Sequence, residues 1–111
     1  MNEEFINKWK SQVKKGTLSF IVLNVLKGNE YYGYELIENI KQKTAIEIAE
    51  GTIYPLMNRL KKEKLVDSKW VEQETGIPRK YYVLTEIGEE TLKSMQKYWD
   101  ELEGLIKKIK K

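Results

Sequence analysis

Residues 51–59, GTIYPLMNR, restrict the fold of this chain more than any other stretch. From Ile53 through Leu65 the apolar residues recur at helical spacing, yet Pro55 falls where a helix is getting under way. Proline has no N–H to donate and its ring presses on the carbonyl four residues back, so it belongs near a helix start. Ile53, Leu56, Met57 and Leu60 form an inward stripe, which leaves Thr52, Tyr54, Asn58 and Arg59 facing away from it. A helix that offers hydroxyls, an amide and a guanidinium from its first turns asks for a partner on that side.

The flanking segments supply a frame for that helix. Residues 4–15 are amphipathic, with Phe5, Ile6, Trp9 and Val13 on one side, and Gly16-Thr17 is expected to interrupt them. Leu18 to Leu26 is apolar nearly all round, the pattern of a buried central helix, and Lys27-Gly28-Asn29 ends it. A second helix is expected at about 34–44 on Leu36, Ile37 and Ile40, and the third at about 50–64. Leu65 to Glu72 reads as a strand, Gln73 to Pro78 as a polar turn containing Gly76, and Arg79 to Leu84 as a returning strand rich in tyrosine and valine. Thr85 caps a last long helix, whose first turn holds Glu86, Glu89 and Glu90 at the positive end of the dipole. Three helices followed by a two-stranded hairpin is the order of a winged helix-turn-helix. The expected class is mainly α with a small β hairpin, divided into a DNA-binding unit over 1–84 and a C-terminal dimerisation helix over 85–111.

Catalysis has little to work with. The chain has no histidine and no cysteine, and its seven glycines are isolated, with no phosphate-binding glycine pattern. Carboxylate pairs such as Glu89/Glu90 and Asp100/Glu101 fit solvated helix faces. Neither an enzyme, a metal site nor a cofactor is expected. The longest apolar run, LSFIVLNVL, is far short of the roughly 20 residues that cross a bilayer, so no membrane partner and a cytoplasmic location are expected. The net charge of +3 becomes informative once it is located. Residues 1–50 hold seven lysines and seven acids, and residues 81–111 hold six of each. Residues 51–80 hold seven basic groups against four acids, so the whole excess lies in the segment that begins with the proline helix. A local basic patch of this kind points to a polyanion.

Double-stranded DNA is the polyanion the pattern suits. Gly51 lets the backbone approach, Thr52 and Asn58 can donate and accept at base edges, and Tyr54 can reach a phosphate. Arg79 and Lys80 follow a proline at the start of the returning strand, with Lys69 expected across from them, as phosphate contacts on the wing. Tyr34, Pro55, Arg59 and Lys62 complete the expected DNA-facing set. Tyr54 and Pro55 also admit a role in packing against the second helix, and Arg59 a surface pair with Glu63 at i+4.

GYEL (33–36), GTIYPLMNRL (51–60), Trp70 and PRKYYVLTEIG (78–88) together resemble the PadR family of bacterial transcriptional repressors, over almost the whole chain. The single C-terminal helix resembles the short, homodimeric subfamily. The resemblance implies a winged-helix repressor acting on DNA. One departure stands out: the family usually has glycine where this chain has Lys64, at the exit of the third helix. If that position needs a positive φ, lysine adopts it at a cost and the helix-to-wing junction is open to a different shape.

Leu92, Met95, Trp99, Leu102, Ile106 and Ile109 are spaced 3, 4, 3, 4, 3, the seam of a coiled coil. The seam can lie against the chain's own first helix, but Phe5, Ile6, Trp9 and Val13 form a second surplus face. A two-fold pairing of first and last helices covers both at once and yields a homodimer. Its recognition helices would address major grooves about 34 Å apart on a near-palindromic operator. Trp99 is a poor fit in a tight two-stranded seam. Multidrug-sensing members of the family that the chain resembles hold flat aromatic compounds between such tryptophans, so the resemblance implies Trp99, with Trp9 and Val13, as a candidate site for a planar aromatic effector; Trp99 is equally a plain interface filler. Three readings stay open: a ligand-responsive dimeric repressor, a winged-helix protein-interaction module without DNA binding, and a multidrug-binding protein with secondary DNA activity.

Overall fold

The computed structural model describes residues 2–110; Met1 and Lys111, the outer ends of the two expected units, lie outside them. Helix α1 runs unbroken over Glu3–Leu26, so the break expected at Gly16-Thr17 is absent. Glycine inside a helix costs only about 0.5–1 kcal/mol. Thr17 moreover turns its hydroxyl back onto the Val13 carbonyl at 2.7 Å, a bond a helix accommodates. The second half of α1 is the buried centre of the molecule: Val22, Leu23 and Leu26 are fully shielded from solvent.

A two-residue strand, β1 (Tyr31–Tyr32), follows and leads directly into helix α2 (Gly33–Thr44). Glu35 accepts a hydrogen bond from the Tyr32 amide at 3.3 Å, which ties the entry of α2 to β1. Helix α3 spans Glu50–Lys62. Its first turn is tight, with the amides of Thr52 and Ile53 both donating to the Ala49 carbonyl at 3.0 and 3.1 Å. Pro55 is the sixth residue of α3 and so occupies its second turn rather than its first. The carbonyl that loses a partner belongs to Gly51, on the exposed side of the helix.

The wing is strand β2 (Val66–Gln73) and strand β3 (Gly76–Leu84), with a turn of only Glu74 and Thr75 in place of the broader Gln73–Pro78 turn expected. Pro78 is tolerated within β3 because β1 pairs with β3 only at Tyr81 and Tyr82, leaving that side of the strand open at Pro78. The sheet is therefore three-stranded and antiparallel, in the order β1-β3-β2, rather than a bare hairpin. Strand β1 is too short to leave a periodic pattern.

Helix α3 leaves toward the wing through a left-handed residue, and that residue is Lys64, at φ 64°. The Lys64 amide donates to Lys61 O at 2.9 Å and the Leu65 amide to Leu60 O at 3.0 Å, the paired bonds of a glycine-type helix stop made with lysine. Thr85 locks the junction from the other side. Its hydroxyl donates to the Lys64 carbonyl at 2.6 Å and accepts from the Gly88 amide at 2.9 Å, capping helix α4 (Glu86–Ile109). Gly88 lies beneath the Leu65 carbonyl, where a Cβ would collide with that oxygen and stand 2.8 Å from Leu84.

The core joins α1 to Leu36 and Ile40 of α2, Ile53 and Met57 of α3, Val66 and Tyr82 of the sheet, and Leu92 of α4. Leu92 is only 5% exposed, which removes it from the expected dimer seam: it is a core residue of its own chain. Beyond Met95 the two long helices, α1 toward its start and α4 toward its end, carry large apolar side chains in the open.

Candidate nucleic-acid interface and apolar groove

Helix α3 divides into two faces. Ile53, Leu56, Met57 and Leu60 are buried, while Gly51, Thr52, Tyr54, Pro55, Asn58, Arg59 and Lys62 are all exposed. The structure brings this expected set together on one side of one helix. The Tyr54 ring crosses onto α2 and fills the space beside Gly33, where a Cβ would lie 2.7 Å from its Cζ. Tyr54 thus both packs against α2 and keeps 39% of its surface open. Tyr34, one residue into α2, is 54% exposed. No carboxylate pairs with Arg59 among the described residues, so the alternative pairing with Glu63 is not made.

Between α3 and the wing lies a concavity of about 450 Å³, whose walls include Tyr54 and Asn58 from the helix and Trp70, Arg79 and Lys80 from the wing. Strand register separates the wing cations. Lys80 stands opposite Trp70, Arg79 opposite Val71, and Lys69 opposite Tyr81. Because side chains alternate along a strand, Lys69 and Arg79 share one face of the sheet and Lys80 lies on the other. Lys69 is therefore not grouped with Lys80 as the sequence suggested, and its ammonium pairs with Glu30 at 2.9 Å. The Arg79 guanidinium rests over the Tyr32 ring, 4.4 Å from its centroid. Lys80 sits 5.9 Å from the Trp70 ring and 5.8 Å from that of Tyr82. These aromatic faces hold the cations without neutralising them. Tyr82 is buried at the back of the site, and burial, followed by the neighbouring Tyr54, holds its phenol above the ordinary tyrosine range.

A second feature lies between the two long helices. Helices α1 and α4 flank an apolar groove of about 800 Å³, within the range of small-molecule sites. Trp9, Val13 and Phe20 come from α1, and Met95, Trp99 and Ile106 from α4, so the three residues expected to hold an effector do share one groove. The Trp99 ring tilts against Phe20 at 5.7 Å between centroids. Phe5 and Ile6 near one end of α1, and Ile106 and Ile109 near the end of α4, remain exposed, while Leu102 is half-buried.

Residues 22–94, from the buried half of α1 to the middle of α4, match the family described as transcriptional regulator PadR-like. The chain belongs to that family. The PadR-like chain resembles a PadR family transcriptional regulator from Eggerthella lenta, with a TM-score of 0.84 and 31% identity, covering 98% of this chain and 91% of that one. It also resembles a PadR-like transcriptional regulator from Bacillus cereus, with a TM-score of 0.77 and 33% identity, over 88% and 95% of the two chains. Transcriptional regulator YqjI of Escherichia coli is 31% identical over 94 residues, which are 83% of this chain and 44% of that protein. The chain thus spans less than half the length of that relative. PadR-like proteins are regulators of transcription rather than enzymes, in line with the absence of catalytic groups expected from the sequence. No helix among the described residues is long and apolar enough to cross a membrane.

Two residues at the candidate interface are not among those expected to face DNA, although Trp70 is one of the residues that carry the family resemblance. Tyr32 supports Arg79, and Trp70 stands 68% exposed in the wall of the concavity. The alternation of β2 against β3 is the signal that places Trp70 beside Lys80, and it becomes readable only when the register is known.

Proposed function

We propose that the protein is a ligand-responsive repressor that binds a near-palindromic DNA operator as a homodimer, in the bacterial cytoplasm. The observation that carries the reading is the outer face of α3. Seven polar or small residues there are exposed together, beside a concavity that holds Arg79 and Lys80 with no carboxylate in its lining. Thr52 and Asn58 read base edges, and Tyr34, Tyr54, Arg59, Lys62, Arg79 and Lys80 position the protein on phosphates. Lys69 reaches phosphate only by giving up Glu30, so its share is the smallest.

Dimerisation rests on exposed apolar surface. Phe5 is 67% exposed, Trp9 54% and Ile109 81%, on two helices that project together from the core. A second copy covers these side chains, with Ile6, Leu102 and Ile106, through a two-fold pairing of α1 and α4. The groove beside Trp99 takes a planar aromatic effector. Binding releases DNA if it favours a dimer whose recognition helices are wrongly spaced. A mobility-shift assay on the duplex immediately upstream of the gene tests the reading. It predicts one complex with two protomers per duplex, dissociated by a bound planar dye. Failure to shift that duplex more strongly than random DNA would refute the operator reading.

A further inference from the structure

Trp70 is a large indole set out in solvent between Lys69 and Val71 on β2, and nothing in the fold of one chain needs it there. It is 68% exposed, more than Trp9 or Trp99, whose apolar surroundings account for them. The side-chain hydrogen bonds of β2 run through Asp67, Ser68 and Gln73, and none uses the Trp70 indole N–H among the described residues. Its cross-strand partner is Lys80, whose ammonium lies 5.9 Å from the indole ring and 5.8 Å from that of Tyr82. Across the concavity stand the phenol of Tyr54 and the amide of Asn58.

These groups share one chemistry. Arg79 and Lys80 are cations, while the Trp70 N–H and the Tyr54 hydroxyl are neutral donors, and no carboxylate lines the space between them. A flat apolar ring beside donors suits a group that is anionic at one end and carbon-rich at the other. A phosphodiester joined to its deoxyribose is such a group.

We propose that the concavity between α3 and the wing seats one segment of DNA backbone, with Trp70 as a direct contact. Its indole N–H donates to a phosphate oxygen and its ring packs on the adjoining sugar, while Lys80 neutralises the same phosphate. This rests on the DNA-binding reading above and adds a residue and a mode of contact to it. Trp70 fixes the register of the wing on the duplex and carries no base preference.

The two members of the pair are separable by salt. A lysine that neutralises a phosphate releases condensed counterions, whereas a neutral donor releases none. Trp70→Phe keeps the ring and removes the N–H. It should weaken binding to the upstream duplex and to a random duplex of equal length by the same factor, roughly tenfold for a hydrogen bond to a charged group. The slope of log affinity against log salt should stay at the wild-type value, and Trp70→Ala should lose more affinity with the same slope. In a Trp9→Phe/Trp99→Phe background, emission from Trp70 should change on adding DNA. Unchanged affinity of Trp70→Phe, a loss confined to the upstream duplex, or silent Trp70 emission in a protein that still shifts DNA would each overturn the seat while leaving DNA binding intact. If the wild type shifts neither duplex, the DNA reading falls first and the seat with it.

Discussion

Replacing Lys64 with glycine should make the protein more stable, although it deletes a side chain and disturbs no core contact. Lys64 holds φ at 64°, where an L-residue brings its Cβ too close to the following carbonyl, at about 1–2 kcal/mol. The backbone is held there by amide bonds from Lys64 to Lys61 O and from Leu65 to Leu60 O, and by the Thr85 hydroxyl on the Lys64 carbonyl. None of the three uses the lysine side chain, so glycine keeps them all. Glycine removes the steric cost but loses more conformational freedom on folding, by about 0.5–1 kcal/mol. The difference is a gain of about 0.5–1 kcal/mol. For a domain of this size that raises the melting temperature by roughly 2–4 °C. Thermal unfolding followed by circular dichroism checks it, at equal protomer concentration because association shifts the midpoint. Lys64→Ala is the control: it removes the charge and keeps the strain, so it should melt near wild type. If Lys64→Gly melts at or below Lys64→Ala, the junction is not strained at this residue and the reasoning fails.

Alanine at Asn58 or Thr52 should cost about 1–3 kcal/mol on the operator and leave binding to random DNA nearly unaltered; equal losses on both would make these residues backbone contacts. Gly16→Ala should raise stability by about 0.5–1 kcal/mol, because the site is mid-helix and nothing lies within 4 Å of the added Cβ. Gly16→Leu should fill the groove wall and abolish quenching of tryptophan by planar dyes, and undiminished quenching would place the dyes elsewhere. At alkaline pH the raised Tyr82 phenol stays neutral in the folded chain while an unfolded tyrosine ionises near the ordinary value. Its contribution is therefore complete below pH ~10 and is lost as pH rises through the folded value. Tyr82→Phe should show a shallower loss of stability over that window in denaturant titrations, and an identical slope would contradict the shift.

Much of the proposed DNA-facing site was legible because it lies on one helix. The spacing of Ile53, Leu56, Met57 and Leu60 decides which side of α3 is buried, and Thr52, Asn58 and Arg59 follow from it. What escaped depends on contacts distant in sequence. The exception is the break expected at Gly16-Thr17, which is absent for a local reason: one glycine costs a helix little, and the Thr17 hydroxyl bonds back to the Val13 carbonyl within it. Strand β1 exists only as an edge for Tyr81 and Tyr82 of β3. The seam from Leu92 to Ile109 keeps one period throughout, yet passes from the chain's own core at Leu92 to open surface at Ile109, and spacing cannot mark where that change occurs. The departure at Lys64 was readable, but its resolution was not. The left-handed exit survives because Thr85, twenty-one residues on, holds it.

The salt dependence of operator affinity, measured for wild type and Lys80→Ala side by side, tests the central claim most directly. If the α3 face and the wing bind DNA as described, log affinity falls steeply and linearly with log salt. Lys80→Ala should bind every duplex more weakly, with a slope shallower by about one unit. A wild-type affinity indifferent to salt, or an unchanged slope in a folded Lys80→Ala protein, would contradict the assignment of this surface to DNA.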